Sequence, residues 1–319
     1  EKKSFGFEVQ AYSDASLPKE VMSGDKISKP ASLVENIKQM VSAPKFGKVL
    51  SPNVIVSLPE TKCFVRVIQM TAVSESEAQE AVPWEAEAYV PLPISQVYLD
   101  WLILNPTDKI ADENKMTVFI TAAPKDYIDD LVQILNEAGL KPVALEAESQ
   151  ATARSIVAKN TAETVLIADI DTVRTSLIIY DKGVLQFTSS LPIAGNMMTE
   201  SIAKALGVGF DEAEKLKRQV GVGEEAAGTD AKIVGKVRRA ILPIVENLVD
   251  EIKNTIRFHE EHSQEGSRIG KLMLVGGSSK LRHLPSFLHE QFTHASALDH
   301  PLRSLPGMKV ELGNPWINV

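Results

Sequence analysis

The chain is 319 residues long, with 44% hydrophobic and 24% charged residues, an ordinary globular balance with room for two domains. Asp and Glu outnumber Lys and Arg by 42 to 34, a net charge of −8, and there is no basic arm, which argues against a nucleic-acid partner. Cys63 is the single cysteine, so no disulfide can close within the chain, and no apolar run approaches the ~20 residues that span a bilayer.

In chain order, Phe5 to Pro18 reads as a strand with a polar exit. Ser32 to Ser42 places Leu33, Val34, Ile37, Met40 and Val41 at helical spacing. Asn53 to Leu58 is short and nearly all apolar, typical of a buried strand, and Phe64 to Met70 is another strand. Ser74 to Tyr89 is helical and rich in Glu and Ala; Pro83 predicts a kink or two short helices there. Val97, Leu99, Trp101 and Ile103 share one face of a strand over Gln96 to Leu104. Polar Lys109 to Lys115 predicts a hairpin loop before a strand over Met116 to Ala122. Lys125 to Ala138 is the clearest helix, with an apolar stripe through Ile128, Leu131, Val132 and Leu135 and Gly139 as its C-terminal cap. A strand over Pro142 to Leu145, a helix over Ser149 to Ala158 and a linker over Asn160 to Glu163 follow.

The second half opens on three strands, Val165 to Ile170, Thr175 to Tyr180 and Val184 to Ser190, the last two joined by an Asp181-Lys182-Gly183 turn. Helices are predicted over Met198 to Leu206 and Asp211 to Gln219. A mobile Gly/Glu/Ala loop over Gly221 to Gly228 leads to a helical tract over Asp230 to His259, kinked at Pro243. Lys271 to Val275 is a strand ending in Gly276-Gly277, and His283 to Gln291 is a short helix. Val310 and Leu312 mark a strand in the tail from Pro301 to Val319. These units predict an α/β fold with a mixed sheet. Gly6 to Gln10, ahead of Leu17-Pro18, also echoes Gly183 to Phe187 ahead of Leu191-Pro192. On that echo, Phe5 to Tyr12 is the third strand of a first unit whose earlier strands precede Glu1.

Three stretches resemble the nucleotide site of actin-like proteins. Val165 to Leu177, with Asp169, Asp171 and Thr172, resembles the second phosphate loop, where a tight turn aims backbone N–H groups at a phosphate. The resemblance gives Asp169 a role through water to nucleotide-bound Mg. Glu214 and Lys217 match the Glu-x-x-Lys of the adenosine-contacting helix, and Gly276, Gly277 and Ser278 match the adenosine loop, where glycine permits close backbone approach. Taken singly, each has a plainer reading. Asp211 and Glu214 suit a helix cap, Gly276-Gly277 a strand exit, Asp169 and Asp171 a solvated pair, and Trp84 a packing anchor. His259-Glu260-Glu261-His262 lacks the His-Glu-x-x-His zinc spacing and reads as a polar helix end. No nucleophile or acid/base arrangement stands out, so no catalytic residue is assigned.

A broader resemblance runs from about Pro30 onward. Val82-Pro83-Trp84-Glu85-Ala86-Glu87-Ala88-Tyr89-Val90-Pro91-Leu92-Pro93 is its most diagnostic stretch. Asn136 to Pro142, Leu191 to Gly195 with Thr199 and Ile202-Ala203, and Gly313-Asn314-Pro315 add to it. These segments resemble the PilM family of the type IV pilus inner-membrane platform. The resemblance implies an actin-like fold of two RNase H-like lobes with an inserted small α+β subdomain. Residues 1–60 and 124–160 would form the first lobe and 61–123 the insertion. Residues 161–195 and 268–319 would form the second lobe, with 196–267 a helical subdomain. It implies a cytoplasmic scaffold, peripheral to the inner membrane through partners alone, that binds the N-terminal peptide of PilN beside the 61–123 subdomain and links it to other platform or motor proteins. An ATPase or kinase of the same superfold and an FtsA-like division protein are the alternatives. FtsA ends in an amphipathic membrane helix, which Leu305 to Val319, with Pro306, Gly307, Gly313 and Pro315, cannot form. Asp171 stands where the family usually has Gly, placing a like charge near the phosphates, and the family's first phosphate loop would precede Glu1. ATP and Mg are therefore expected in a full-length protein, in a structural or regulatory role with little or no turnover, and not in this chain.

Overall fold

A computed structural model of the chain describes residues 2–3, 6–18, 20–23, 26–104, 115–159, 161–181, 183–262, 268–293 and 308–318. The predicted loop at Lys109 to Lys115 lies outside these residues except for Lys115, as do Asn160 of the linker, Lys182 of the turn and Pro301 to Gly307 of the tail. The chain divides into two compact units, residues 1–155 with 316–319, and residues 156–315.

In the first unit, β1 (Lys2–Lys3) pairs with β2 (Gly6–Phe7), and β3 (Ala11–Tyr12) awaits a later partner. A second short hairpin joins β4 (Met22–Ser23) to β5 (Lys26–Ile27) ahead of α1 (Pro30–Ser42). β6 (Phe46–Gly47) then pairs antiparallel with β3. The single strand expected over Phe5 to Pro18 is thus replaced by two two-residue pieces. Gly47, at φ +70, brings its backbone so close to the Gln10 carbonyl that a Cβ would collide with it. Just beyond, the exposed Tyr12 hydroxyl donates to Asp14 Oδ1 at 2.8 Å.

β7 (Asn53–Leu58) lies parallel to β11 (Lys141–Ala147) in a two-stranded sheet. Its residues alternate inward and outward: Leu58 is buried, whereas Ile55 is 64% exposed. The apolar run of β7 predicted burial of the whole strand, but only one face is packed, chiefly by α3 (Lys125–Glu137) through Ile128 and Leu131. α4 (Glu148–Ile156) follows β11 directly.

A separate antiparallel sheet in the order β8-β10-β9 is built from β8 (Phe64–Thr71), β9 (Val97–Ile103) and β10 (Lys115–Pro124). α2 (Glu75–Ala86) covers it, burying Ala78, Val82 and Ala86, one residue per turn, against Ile68, Val97 and Ile120. Ser74 and Glu77 form a capping box at its start, closing two orphan donors. The helix runs as one element through Pro83, not as two. Trp84 lies about 200° around the helix from buried Val82, at about 100° per residue. It is accordingly 77% exposed and not the packing anchor its size suggested.

The second unit is built on a mixed five-stranded sheet in the order β14-β13-β12-β15-β16. Its strands are β12 (Thr164–Ile170), β13 (Thr175–Asp181), β14 (Val184–Leu191), β15 (Ile269–Val275) and β16 (Lys309–Leu312). β12 is antiparallel to β13 and parallel to β15. Leu166, Ala168 and Ile170 face helices α5 (Gly195–Leu206), α6 (Phe210–Val220) and α7 (Ala231–His262), with α8 (Leu284–Thr293) joining the same core. Each fully buried Ile or Val in that core is worth roughly 1.5–3 kcal/mol. α7 continues as one helix through exposed Pro243, with Ile241 and Val245 fully buried on either side. The loop after α6 starts docked instead of mobile: Val222 is buried in the core and its N–H donates to the Arg282 carbonyl at 3.1 Å.

Candidate functional site

β12 and β15 end side by side, Asp169 paired with Val275. Ligands of open α/β sheets bind beyond the carboxyl ends of such parallel strands. Two turns leave these ends, one from Asp171 to Arg174 and one from Gly276 to Ser278. Gly276 has φ +80, and a Cβ on it would stand 2.5 Å from the Ile170 carbonyl oxygen and 2.6 Å from Asp169 Oδ1, so the position requires glycine. The N-terminus of α5 meets both turns. Gly195 N–H donates to the Asp171 carbonyl at 2.9 Å, and Asn196 N–H to the Thr172 carbonyl at 2.8 Å. Ser278 Oγ donates to that same Asp171 carbonyl at 3.2 Å, and Gly277 N–H reaches Asp171 Oδ1 at 3.5 Å, the outer limit of a hydrogen bond. Asp171 is therefore the joint of three loops.

The charged pair on α6 locks the same joint from below. Lys217 is 6% exposed. Its Nζ lies 2.7 Å from Glu214 Oε2 and donates to the Gly195 carbonyl at 3.0 Å and Thr199 Oγ1 at 2.9 Å. An ammonium has three donors, and all three are engaged. Glu214 also accepts from Thr199 Oγ1 at 2.6 Å and from Arg218 Nε at 2.8 Å. Burial pushes the Glu214 carboxyl up, but the hydrogen bonds from Lys217, Thr199 and Arg218 outweigh it and hold the group down at about 2.

The structure thus gathers Asp169, Asp171, Thr172, Gly276, Gly277 and Ser278 around the ends of two strands and ties Glu214 and Lys217 to them through Gly195. In this arrangement they fit a phosphate chain poorly. The Asp171 carboxylate stands at the Gly277 N–H, and Lys217 has no donor left for a ligand. Gly195 and Thr199 are the residues that sequence reasoning did not place in the site. Their signal was a glycine opening a helix four residues before a threonine, which sets Thr199 Oγ1 3.0 Å from the Gly195 carbonyl. Among the described residues, no three His, Cys, Asp or Glu side chains converge on a metal-sized site.

A second concavity, of about 770 Å³, lies in the first unit. Ile27 of the β4–β5 hairpin, Leu92 and Gln96 ahead of β9, and Tyr127 and Asp130 of α3 line it, with Lys62 at its edge. Lys62 Nζ sits 5.5 Å over the Tyr127 ring, a cation–π contact that orients both side chains. Nearby, Lys125 Nζ donates to the Ser95 carbonyl at 2.8 Å and lies 5.6 Å over Tyr98. The result is an apolar floor with a mixed polar rim. Trp84 is not part of it. No motif announced Tyr127 or Lys62, because the turn that holds Lys62 and the helix start that holds Tyr127 meet only in the fold.

A sequence profile described as type IV pilus assembly protein PilM matches residues 1–310. The chain belongs to the PilM family. A PilM chain from a solved PilM–PilN type IV pilus biogenesis complex is 26% identical and superposes with a TM-score of 0.75, covering 97% of this chain and 82% of that one. The PilM-family fold seen here is actin-like: MreB5 of Spiroplasma citri, solved with AMPPNP and 15% identical, matches with a TM-score of 0.53 over 93% of this chain and 74% of that one. In sequence, the cell division protein FtsA of Escherichia coli K12 is 23% identical over 220 residues, 63% of this chain and 52% of FtsA. FtsA of Pseudomonas aeruginosa is 26% identical over 211 residues, 62% of this chain and 50% of FtsA. The PilM-family chain spans about half the length of these curated relatives. Among its described residues, no helix is long and apolar enough to cross a membrane.

Proposed function

We propose that this chain is an actin-like scaffold of the type IV pilus assembly platform that takes the cytoplasmic N-terminal peptide of PilN in the concavity lined by Ile27, Leu92 and Tyr127. The observation that carries the reading is the likeness, over 97% of the chain, to a PilM solved with PilN. The concavity suits such a ligand. Its apolar floor accepts side-chain anchors, and its rim is mixed in charge, with Asp126 and Asp130 beside Lys26, Lys62 and Lys125, so apolar contact and not charge would carry the affinity. In this reading residues 61–123 are the inserted subdomain, 196–267 the helical subdomain, and the remainder the two lobes. The scaffold would hand the PilN contact on to the pilus motor from a cytoplasmic position at the inner membrane, reached through partners. The cluster around Asp171 would hold ATP and Mg weakly, since the Lys217 donors are engaged and Asp171 stands at the Gly277 N–H, in a structural or regulatory role with little or no turnover.

The test is the affinity of a labelled peptide from the N-terminus of the neighbouring PilN, read by fluorescence anisotropy. Tyr127→Ala and Leu92→Asp should each weaken binding about tenfold or more, as truncation of a central interface anchor does. Unchanged affinity in both would place the peptide elsewhere.

A further inference from the structure

The joint at Asp171 is made by its main chain, not by its side chain. The Asp171 carbonyl accepts from Gly195 N–H at 2.9 Å and from Ser278 Oγ at 3.2 Å. The Asp171 N–H donates to the Arg174 carbonyl at 2.9 Å and closes the turn. None of these bonds uses the carboxylate. Among the described residues it accepts a single hydrogen bond, the long one from Gly277 N–H at 3.5 Å, and Asp171 is exposed. The fold therefore gains little from this acid, and its position is the informative fact.

The groups beside it are main-chain donors. Thr172 and Val173, at the tip of the turn, are exposed, and their N–H groups make no hydrogen bond among the described residues. Turn amides left free in this way hold anions. Gly277 N–H belongs to the second turn, and it is the donor that the carboxylate meets. Gly276 lets that turn approach so closely, since a Cβ there would strike the Ile170 carbonyl and Asp169. Lys217, the cation tied to the joint, has its three donors engaged by Glu214, Gly195 and Thr199. It has none left for Asp171 or for an incoming anion.

We propose that the Asp171 carboxylate acts as an internal anion: it stands at the Gly277 N–H where a phosphate would bind, repels one, and so limits the affinity of the second unit for nucleoside di- and triphosphates. The proposal rests on the reading of this cluster as a weak nucleotide site, and it goes further by naming the side chain that makes the site weak. Removing the carboxylate leaves every main-chain bond of the joint in place and frees the Gly277 N–H. Loss of this acid is therefore a gain of binding, which a merely structural residue would not give.

Isothermal titration calorimetry with MgATP on the whole chain tests it, with adenosine as the phosphate-free control. Asp171→Ala should tighten MgATP about tenfold or more, as removal of a neighbouring like charge does. Asp171→Asn removes the charge but keeps the size, and should gain less. Glu246→Gln makes the same change of net charge on an exposed position of α7 and should gain nothing. Adenosine should bind wild type and variants alike. Weak MgATP binding that is unchanged in Asp171→Ala overturns this inference alone. MgATP binding that weakens in Asp171→Ala also overturns it, because Asp171 would then be a cation ligand. An equal gain for adenosine overturns it as well, since the turns would have been reshaped. No binding of MgATP by wild type or either variant overturns it together with the nucleotide reading.

Discussion

In the unit of residues 156–315, a buried lysine has three oxygen partners within 3.0 Å; in the unit of residues 1–155, the carboxylates of Glu80 and Glu87 make no ion pair among the described residues. The first arrangement is what burial compels, since an unpaired charge in a dry core is several kcal/mol too costly. The second is possible only in water, where an unpaired carboxylate costs nothing and stays available to a partner. Polar groups of the strand-end cluster are thus consumed in building it, whereas Glu80 and Glu87 on the outer face of α2 stand in water.

The comparison can be broken by mutation. Gly276→Ala should be the most damaging change, since it meets both a positive φ and a backbone collision with the Ile170 carbonyl. Strain and overpacking together predict a loss of roughly 3–4 kcal/mol, read as a fall in urea midpoint. Lys217→Met should cost somewhat less, roughly 2–3 kcal/mol, because Glu214 keeps Thr199 and Arg218. A loss no larger than that of the neighbouring exposed Lys215→Met would mean that the buried pair holds nothing. The same pair sets an acid limb. The Glu214 pKa is lowered from 4.5 to about 2 on folding, so its stabilisation is complete above pH 4.5 and fades as pH falls toward about 2. Glu214→Gln should flatten the stability profile over that interval and leave the neutral-pH slope alone.

The first unit should respond more mildly. Ser74→Ala removes the capping box of α2 and should cost about 1 kcal/mol. Trp84→Ala should cost about 0.5 kcal/mol or less, as an exposed surface change does. A Trp84→Ala cost of roughly 2 kcal/mol or more would show the indole to be packed, and the contrast between the units would fail.

The second unit was legible in sequence because its strands are continuous apolar runs and its turns carry glycine at fixed places. Val165 to Ile170 and Lys271 to Val275 fell where expected, and so did their glycine exit. The first unit was harder to read. The pattern of Asn53 to Leu58 gives apolarity but not the number of neighbouring strands, so burial of Ile55 was overestimated. Trp84 was misplaced for the opposite reason: its size argued for the core, yet Ala78, Val82 and Ala86 already define the buried stripe, and their spacing excludes it. The eight candidate nucleotide residues converge as their order suggested. What sequence could not convey was that Lys217 and Asp171 satisfy each other's neighbourhood through Gly195, a glycine whose Cβ would run into Ser278.

The bonds from Gly195 and Asn196 to the Asp171 and Thr172 carbonyls also have a mechanical meaning. The first amides of a helix have no partner inside it, so here the turn serves as the cap of α5. Turn and helix move as one piece: shifting the turn by an ångström either stretches both bonds out of range or drags α5 along. α5 is in turn pinned to α7, where Ser201 Oγ donates to the Ala240 carbonyl at 2.7 Å. α7 is 32 residues long, roughly 48 Å at ~1.5 Å per residue, so a tilt of about 5° imposed at one end sweeps the other by about 4 Å. Whatever repositions Asp171 would be magnified along α7, which makes that helix the natural pointer of the second unit.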